Sequence, residues 1–196
     1  MNKYLLSLLL LFFLSGISGV LMAQSSKRII TQVTLDGVYV NAKDFENQVL
    51  SYTNARKMIA FYDKVKVVQD SVLILNGKNA YGFRKDGKDW RFSEGKAYEV
   101  INKEGIFIYK LEVSNQSTVS LYYFSKDAAS PLIFLSKRNL RKHYADNPSF
   151  LAILDTLPWR LHLEDAVPPF NEVRVAEMYN YVKSHPDMFY SGKSSF

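Results

Sequence analysis

The stretch VVQDSVLILNGKNAYGFRKDGKDWRF, residues 67–92, decides the fold of this chain. Its β-branched and leucine-rich start predicts one β-strand over Val67 to Leu75, and Asn79 to Lys85 predicts the next. Asn76-Gly77 follows the first strand and Asp86-Gly87 follows the second. Both dipeptides supply the positive φ angles of a two-residue type I′ turn, which is the strongest short hairpin signal in a sequence. The stretch therefore predicts consecutive antiparallel strands.

The same succession of short strands and turns continues to residue 124. The further predicted strands are Asp89 to Phe92, Ala97 to Ile101, Ile106 to Val113 and Thr118 to Phe124. Six strands joined by short turns predict an antiparallel β-meander over residues 66–124. A sheet of this length twists and can curl toward a half-barrel.

Helical patterns follow the meander. Ser136 is the predicted N-cap of a helix over Lys137 to Tyr144, because a serine oxygen can accept a backbone hydrogen bond there. Asn147 is the predicted N-cap of a helix that begins at Pro148, where the missing N–H of proline costs nothing. A third helix is predicted over Phe170 to Ser184.

Ahead of the meander, Gly37 to Val40 predicts a short strand, and Ala42 to Leu50 predicts a short helix or turn with Asn41 as the N-cap. In Tyr52 to Val65, between this segment and the meander, the apolar residues follow no clean period. No linker or repeat divides the chain. The sequence therefore predicts a single α+β domain over residues 24–196, with the meander packed against about three helices in residues 136–185.

The N-terminus has the pattern of a secretory signal peptide. Asn2-Lys3 gives a short cationic start, and Tyr4 to Phe13 is almost wholly apolar. Leu21-Met22-Ala23 then ends on a small residue before Gln24. We therefore expect residues 1–23 to be removed and the protein to be exported, to the periplasm or the extracellular space. An uncleaved membrane anchor is the alternative, but the apolar run is short for a membrane-spanning helix.

Cysteine is absent from the sequence, which excludes disulfides, thiolate metal sites and a lipid-modified N-terminal cysteine. Small exported domains of animals usually depend on disulfides, so a bacterial protein fits better. Without residues 1–23 the chain keeps 24 Lys and Arg against 19 Asp and Glu, a net charge of +5. This charge gives a weak attraction to anionic surfaces, and export disfavours nucleic acid as a partner.

Several short motifs resemble those of a known group of proteins. They are Gly37-Val38-Tyr39-Val40-Asn41 with Asp44-Phe45, Tyr81-Gly82-Phe83, and Asp89-Trp90-Arg91-Phe92. They resemble uncharacterised secreted or envelope proteins of Bacteroidota, in which a G-x-Y…D-F opening precedes an aromatic β-meander. Ala23-Gln24 is similar to the signal-peptide ends of that phylum. The resemblance covers Gly37 to Leu111 and implies an envelope or secreted location, but no activity.

Sequence motifs for metal binding or nucleophilic catalysis are missing. His143, His162 and His185 lie at spacings that match no metal site. A G-x-S-x-G motif is absent. The sequence therefore predicts no metal, no cofactor and no catalytic residue, and the histidines are interpreted as surface or helix-end residues.

Glu94, Glu164 and Asp165 are the carboxylates that acid–base chemistry could use. Two such groups need environments that separate their pKa values, which the sequence does not indicate. We therefore expect an exported, non-catalytic binding or assembly module of the bacterial envelope. An exported hydrolase that uses these carboxylates is the alternative.

A basic helix face is the first candidate binding surface. The spacing of four residues places Lys137 over Arg141 and Arg138 over Lys142 on the predicted helix. Leu140 and Tyr144 are then expected to point inward. These four side chains could dock an anionic lipid, a lipopolysaccharide or an acidic partner protein. A solvated helix face without a partner is the alternative, since charge runs are commonly solvated.

Aromatic residues of the meander are the second candidate surface. Tyr81, Trp90 and Tyr98 lie on successive predicted strands. If Trp90 and a tyrosine faced outward together, they would form a stacking platform for a glycan or a peptide. Packing of these rings in the core of the sheet is the alternative.

Overall fold

The computed structural model describes residues 35–114, 118–157, 163–164 and 174–186. The predicted signal peptide lies outside these residues. The strands are β1 (Gly37–Tyr39), β2 (Lys57–Ala60), β3 (Lys64–Val68), β4 (Val72–Asn76), β5 (Gly82–Lys85), β6 (Lys88–Ser93), β7 (Lys96–Asn102), β8 (Phe107–Ser114), β9 (Thr118–Ser125) and β10 (Ile133–Phe134). The helices are α1 (Ala42–Glu46), α2 (Lys137–His143), α3 (Pro148–Thr156) and α4 (Arg174–Ser184). These elements confirm the α+β class with antiparallel sheets.

A seven-stranded antiparallel sheet has the order β1-β5-β6-β7-β8-β9-β10. Its strands β5 to β9 are consecutive in the chain and adjacent in the sheet, which confirms a β-meander from Gly82 to Ser125. β1 pairs with β5 at one edge, and β10 pairs with β9 at the other. A β-bulge interrupts the pairing of β7 with β8 between Val100 and Asn102.

The prediction of one strand over Val67 to Leu75 is wrong. This run forms parts of β3 and β4, which pair with each other and with β2 in a separate three-stranded sheet. The chain turns between them, and the Gln69 N–H donates a 3.0 Å hydrogen bond to the Ser71 carbonyl oxygen. Asp70 and Ser71 are turn-forming residues, and together they outweigh the apolar character of the run.

The prediction of a hairpin at Asn76-Gly77 is also wrong, because this turn connects the two sheets. Asn76 Oδ1 accepts a 2.9 Å hydrogen bond from the Lys78 N–H, and Asn79 Oδ1 accepts one of 2.8 Å from the Asn76 N–H. Asp86-Gly87, in contrast, has φ angles of 53° and 77° and joins β5 directly to β6. That predicted hairpin is confirmed.

The predicted N-caps are confirmed in the helices that follow and precede the meander. The Ser136 side chain accepts a hydrogen bond from the backbone of α2, and the Asn147 side chain accepts one from that of α3. Asn41 does the same for α1. The predicted Phe170 start of the last helix lies outside the described residues. None of the helices in the described part of the chain is long and apolar enough to cross a membrane.

Cross-strand pairs define the two faces of the seven-stranded sheet, because directly paired residues point to the same face. Phe83 pairs with Trp90, Trp90 with Glu99, and Glu99 with Lys110. We call the side that carries this row face A and the opposite side face B.

Face A has two separate covers. The three-stranded sheet β2–β4, which we call the sheet cover, buries Val67 and Leu75 in one cluster with Phe83. Helices α2 to α4, which we call the helix cover, contribute to another cluster, which contains Phe150 of α3 and Phe124 of β9. The two covers therefore bury different ends of one sheet face.

Face B is covered by α1 and by the segment between β9 and β10. Tyr39 and Phe45 are fully buried there, with ring centroids 5.2 Å apart. The Tyr81 hydroxyl donates a 2.8 Å hydrogen bond to the carbonyl oxygen of Ala128, which is also fully buried. Face B is thus closed by short segments, whereas face A is closed by larger units.

Candidate functional site

The turn between β2 and β3 joins the sheet cover to the seven-stranded sheet. The Tyr62 carbonyl oxygen accepts a 2.7 Å hydrogen bond from the Ala97 N–H. The regular pairing of β7 with β8 begins two residues later, at Glu99. The turn therefore binds a backbone donor that β8 leaves unpaired, and it holds Phe61 and Tyr62 beside the sheet.

A recess of about 290 Å³ lies at this junction. We call it the aromatic recess, and it is lined by Ala60, Phe61, Tyr62, Phe83, Trp90, Ala97, Leu111 and Glu112. Phe83 and Trp90 stack in its wall, with ring centroids 5.9 Å apart and planes 8° apart. Phe61 and Tyr62 are 45% and 51% exposed. A concave site with aromatic lining and few polar groups is typical of a binding site.

The aromatic residues of the turn are not explained by core packing or by turn geometry. Turns favour Gly, Pro, Asn, Asp and Ser, whereas this turn carries Phe61 and Tyr62, which stay half-exposed. The Phe61 N–H donates a 2.8 Å hydrogen bond to the Lys64 carbonyl oxygen, and the Lys64 ammonium lies 5.7 Å from the Phe61 ring centroid. The turn thus presents two large rings to solvent on a fixed backbone.

An ion network lies on face A beside the aromatic recess. Glu99 accepts from Lys88 at 2.7 Å and from Lys110 at 3.2 Å, and Lys110 also lies 2.9 Å from the Glu112 carboxylate. The hydrogen bond from Lys110 lowers the pKa of Glu112. The two ammonium groups and the two carboxylates have no net charge together. The rim of the recess therefore carries charged groups but is neutral overall.

A second ion cluster, which sequence reasoning missed, lies on face B. The Asp89 carboxylate accepts from Arg84 at 2.7 and 2.8 Å, from Lys103 at 2.5 Å and from the Tyr39 hydroxyl at 2.7 Å. Its side chain is only 5% exposed. Burial alone would raise the pKa of Asp89, but the hydrogen bonds from Arg84, Lys103 and Tyr39 outweigh burial and lower it. This cluster ties β1, β5, β6 and the β7–β8 turn together.

Three described carboxyl groups, Asp89, Glu112 and Asp127, have a shifted pKa. All three shifts are downward, and that of Asp127 results from hydrogen bonds with Ser130. A general acid needs a pKa raised toward the working pH. These three groups are instead held ionised, as expected for partners of hydrogen-bond donors.

The three residues of the predicted aromatic platform lie in different places. Trp90 lines the aromatic recess. Tyr98 is 3% exposed on face B, where its ring packs edge-on against Tyr123 at 5.1 Å. Tyr81 is held by its hydrogen bond to Ala128. The structure therefore brings only Trp90 of the three to the recess.

Phe61 and Tyr62 are the recess residues that sequence reasoning missed. They lie in the segment where no clean period was found. A signal was present, since Tyr62-Asp63 separates two short apolar stretches and aspartate is a turn former. An aromatic pair in such a turn indicates an exposed aromatic surface.

Half of the predicted basic face holds two helices together. The Lys137 ammonium donates to the carbonyl oxygen of Leu157, next to the end of α3. The Arg141 guanidinium binds the Asp155 carboxylate at 2.5 and 3.0 Å. Both side chains therefore already have partners on or beside α3.

The other half of the basic face is open. Arg138 and Lys142 are exposed, and neither forms an ion pair among the described residues. On the opposite side of α2, Leu140 and Tyr144 are buried as predicted. Docking of an anionic surface on Arg138 and Lys142 stays a prediction.

Two of the candidate acid–base residues, Glu94 and Glu164, lie in the described part of the chain. Glu94 lies in the tight turn between β6 and β7 with a φ of 48°. Neither Glu94 nor Glu164 lines the aromatic recess. Asp165 lies outside the described residues.

The described histidines have aromatic neighbours. The His143 ring packs edge-on against Phe124 at 5.8 Å, and the His185 ring stacks on Tyr181 at 4.5 Å. His162 lies outside the described residues. Over the residues that the structure describes, no group of three or more His, Cys, Asp or Glu residues could hold a metal ion.

Comparison with known proteins gives no match: no family model, no curated protein and no solved structure is significantly similar to this chain.

Proposed function

We propose that this protein is an exported, non-catalytic binding module of the bacterial envelope that holds a protein partner through the aromatic recess. The observation that carries the proposal is the pair of half-exposed rings, Phe61 and Tyr62, beside the stacked Phe83 and Trp90. Tyrosine and tryptophan are enriched at the centres of protein interfaces, where they contribute much of the binding energy.

The lining of the recess favours an apolar side chain over a sugar. A sugar requires many hydrogen-bonding groups, whereas the lining offers three polar side-chain groups: the Glu112 carboxylate, the Tyr62 hydroxyl and the Trp90 indole N–H. The Glu112 carboxylate is already bound to Lys110. An aliphatic or aromatic side chain of a partner needs no directional contacts, because the hydrophobic effect scales with buried area.

Export is the second part of the proposal. It is supported by the signal-peptide pattern of residues 1–23 and by the resemblance to envelope proteins of Bacteroidota. Protein isolated from its native host should begin at Gln24, as measured by N-terminal sequencing and intact mass. A full-length mass in the membrane fraction would support the uncleaved anchor instead.

Selection of peptides from a phage-displayed random library tests the binding function. Wild-type protein should enrich peptides that share an aromatic or aliphatic residue. The double variant Phe61→Ser/Tyr62→Ser should bind those peptides at least about tenfold more weakly, because it removes two large interface rings. Trp90→Leu should also weaken binding, since it removes the stacked ring from the wall.

Phe134→Ser is the matched control. Phe134 is a 50% exposed aromatic residue on β10 and does not line the recess. Its replacement should leave peptide binding unchanged. If the selected peptides bind the Phe61→Ser/Tyr62→Ser variant as tightly as wild type, the recess is not the binding site.

A further inference from the structure

A second cavity, of about 470 Å³, lies within the helix cover. Its lining comes from four places: the residue after β9, the loop between α2 and α3, the first turn of α3, and α4 with Pro186 beyond it. The side chains that matter here are Lys126, Tyr144, Asn147, Ser149, Tyr179 and Lys183. Unlike the aromatic recess, this cavity is rich in hydroxyl and ammonium groups.

Tyr144 carries an unpaired buried donor in the wall of this cavity. The residue is 4% exposed, and its buried hydroxyl has no hydrogen-bond partner in the described part of the chain. Its ring packs against Phe150 and Tyr179, with centroid distances of 5.4 Å in both cases. A buried polar group without a partner destabilises the fold. Burial also raises the pKa of Tyr144, which keeps the hydroxyl protonated.

Two lysines line the same cavity. The Lys126 ammonium lies 5.2 Å from the centroid of the Tyr144 ring, and Lys183 of α4 lies in the lining. Asp146 is the acidic side chain of the lining, but it is 78% exposed and 3.9 Å from Lys126. The two lysines and one aspartate leave a net charge of +1.

The N-terminus of α3 also borders the cavity. Asn147 caps this nine-residue helix, and Ser149 in its first turn is buried at 8% exposure. The first turn of a helix carries partial positive charge. At the start of α3 Pro148 has no N–H and the Phe150 N–H donates to Asn147 Oδ1 at 3.0 Å, which leaves the Ser149 N–H as the donor of the first three residues. Helix start, two ammonium groups and a free phenol donor therefore converge on one cavity.

We propose that this cavity binds the phosphate group of a small soluble molecule. The Tyr144 hydroxyl donates to one phosphate oxygen, and Lys126 and Lys183 neutralise the charge at the start of α3. A phosphate has several acceptor oxygens and so matches donors that approach from different sides. This site lies in the helix cover, apart from the aromatic recess, and it does not depend on the proposed partner binding.

Isothermal titration with inorganic phosphate, at ionic strength matched with sodium chloride, tests the proposal. Wild-type protein should bind saturably. Tyr144→Phe should bind at least about fivefold more weakly, because it loses one hydrogen bond to a charged group. Its unliganded stability should stay the same or rise slightly, since the hydroxyl has no hydrogen-bond partner among the residues that the structure describes. Lys126→Gln/Lys183→Gln should abolish binding.

Arg138→Gln/Lys142→Gln is the matched control, because it removes two charges from exposed positions of α2. It should bind phosphate like wild type, and so should Phe61→Ser/Tyr62→Ser, which separates this proposal from the recess. Absence of saturable binding in the wild type overturns the proposal. Wild-type affinity in Tyr144→Phe, or equal loss in the Arg138→Gln/Lys142→Gln control, also overturns it.

Discussion

The sheet cover and the helix cover close two ends of face A, and each leaves a different gap. The gap at the sheet cover is lined by aromatic rings, with Glu112 as its charged residue. The gap in the helix cover contains two lysines and the unpaired hydroxyl of Tyr144. Apolar surface suits a side chain without directional contacts, whereas an anion needs fixed donors. The chemistry of each gap is therefore set by its cover rather than by the shared sheet.

Among the variants, Phe150→Ala should lower the free energy of unfolding most. It tests whether the sheet cover and the helix cover unfold separately. Phe150 is fully buried in the helix cover and packs against the rings of Tyr144 and Tyr179. Its loss leaves a large cavity and should lower the free energy of unfolding by about 3–5 kcal/mol. Urea denaturation measures this loss, with exposed Phe134→Ala as the control of smaller effect.

Hydrogen exchange on the same variant sharpens the comparison. If the covers open separately, amides of β3 in the sheet cover should keep their protection while those of α3 lose it. Equal loss of protection in β3 and α3 would show one cooperative unit, and the two covers would then differ only in composition.

Gly82→Ala should cause the next largest loss in unfolding free energy. Gly82 lies in β5 of the seven-stranded sheet, which the sheet cover packs against. A Cβ at Gly82 would lie 2.0 Å from the carbonyl oxygen of Trp90, so the β5–β6 ladder must shift. We expect a loss of about 3 kcal/mol in unfolding free energy, with weaker peptide binding because Phe83 and Trp90 move.

Gly77→Ala is the control for that variant. A Cβ there would lie 3.3 Å from the Phe92 Cβ, and the Gly77 φ is not positive. Thermal denaturation should show a clearly smaller decrease in melting temperature than for Gly82→Ala. Equal decreases would mean that the close approach of β5 to β6 is not what requires glycine.

Asp89→Asn should cause a moderate loss in the free energy of unfolding, and the size of this loss should depend on pH. The change removes the charged acceptor of Arg84 and Lys103 on face B and should lower the unfolding free energy by about 2 kcal/mol at neutral pH. Because the folded pKa of Asp89 is lowered from 3.8, its contribution is present above that value and lost as the pH falls through the folded pKa.

The difference in stability between wild type and Asp89→Asn should therefore narrow below about pH 4. Urea denaturation at a series of pH values measures this narrowing. A difference that stays constant from pH 7 to the acid range would show that the Asp89 charge does not contribute.

Arg138→Gln/Lys142→Gln should change stability least, by no more than about 0.5 kcal/mol, because both residues are exposed. If α2 docks on anionic surfaces, this variant should sediment less with anionic vesicles at low salt than wild type. Lys137→Gln/Arg141→Gln should instead lower stability, since these residues hold α3. Equal sedimentation of wild type and Arg138→Gln/Lys142→Gln would end the docking prediction.

Local chemistry explains which elements could be predicted from the sequence. Asp86-Gly87 and the N-caps Ser136 and Asn147 act through their own backbone neighbours, so their roles are visible in a few residues. Asn76-Gly77 has the same local signal as Asp86-Gly87, but its strands lie in different sheets. Which sheet a strand joins depends on distant residues, and a local sequence pattern does not contain that information.

The candidate sites were less predictable for the same reason. Trp90 was identified as an aromatic residue, but the tyrosine that lines the recess with it is Tyr62, 28 positions earlier, rather than Tyr81 or Tyr98. Tyr144 was predicted to point inward, which is correct. Its lack of a hydrogen-bond partner depends on α4 and on Lys126, and no spacing in the sequence reveals it.

The edge strand β1 has a consequence for the order of folding. Tyr39 pairs with Gly82, 43 positions later, and the entire sheet cover lies within that loop. The hairpins from β5 to β9 close only short loops, so they should form sooner than this long-range pair. Until β1 arrives, the edge of β5 is open to strands of other chains. A newly made chain is therefore expected to be most prone to aggregation before β1 pairs.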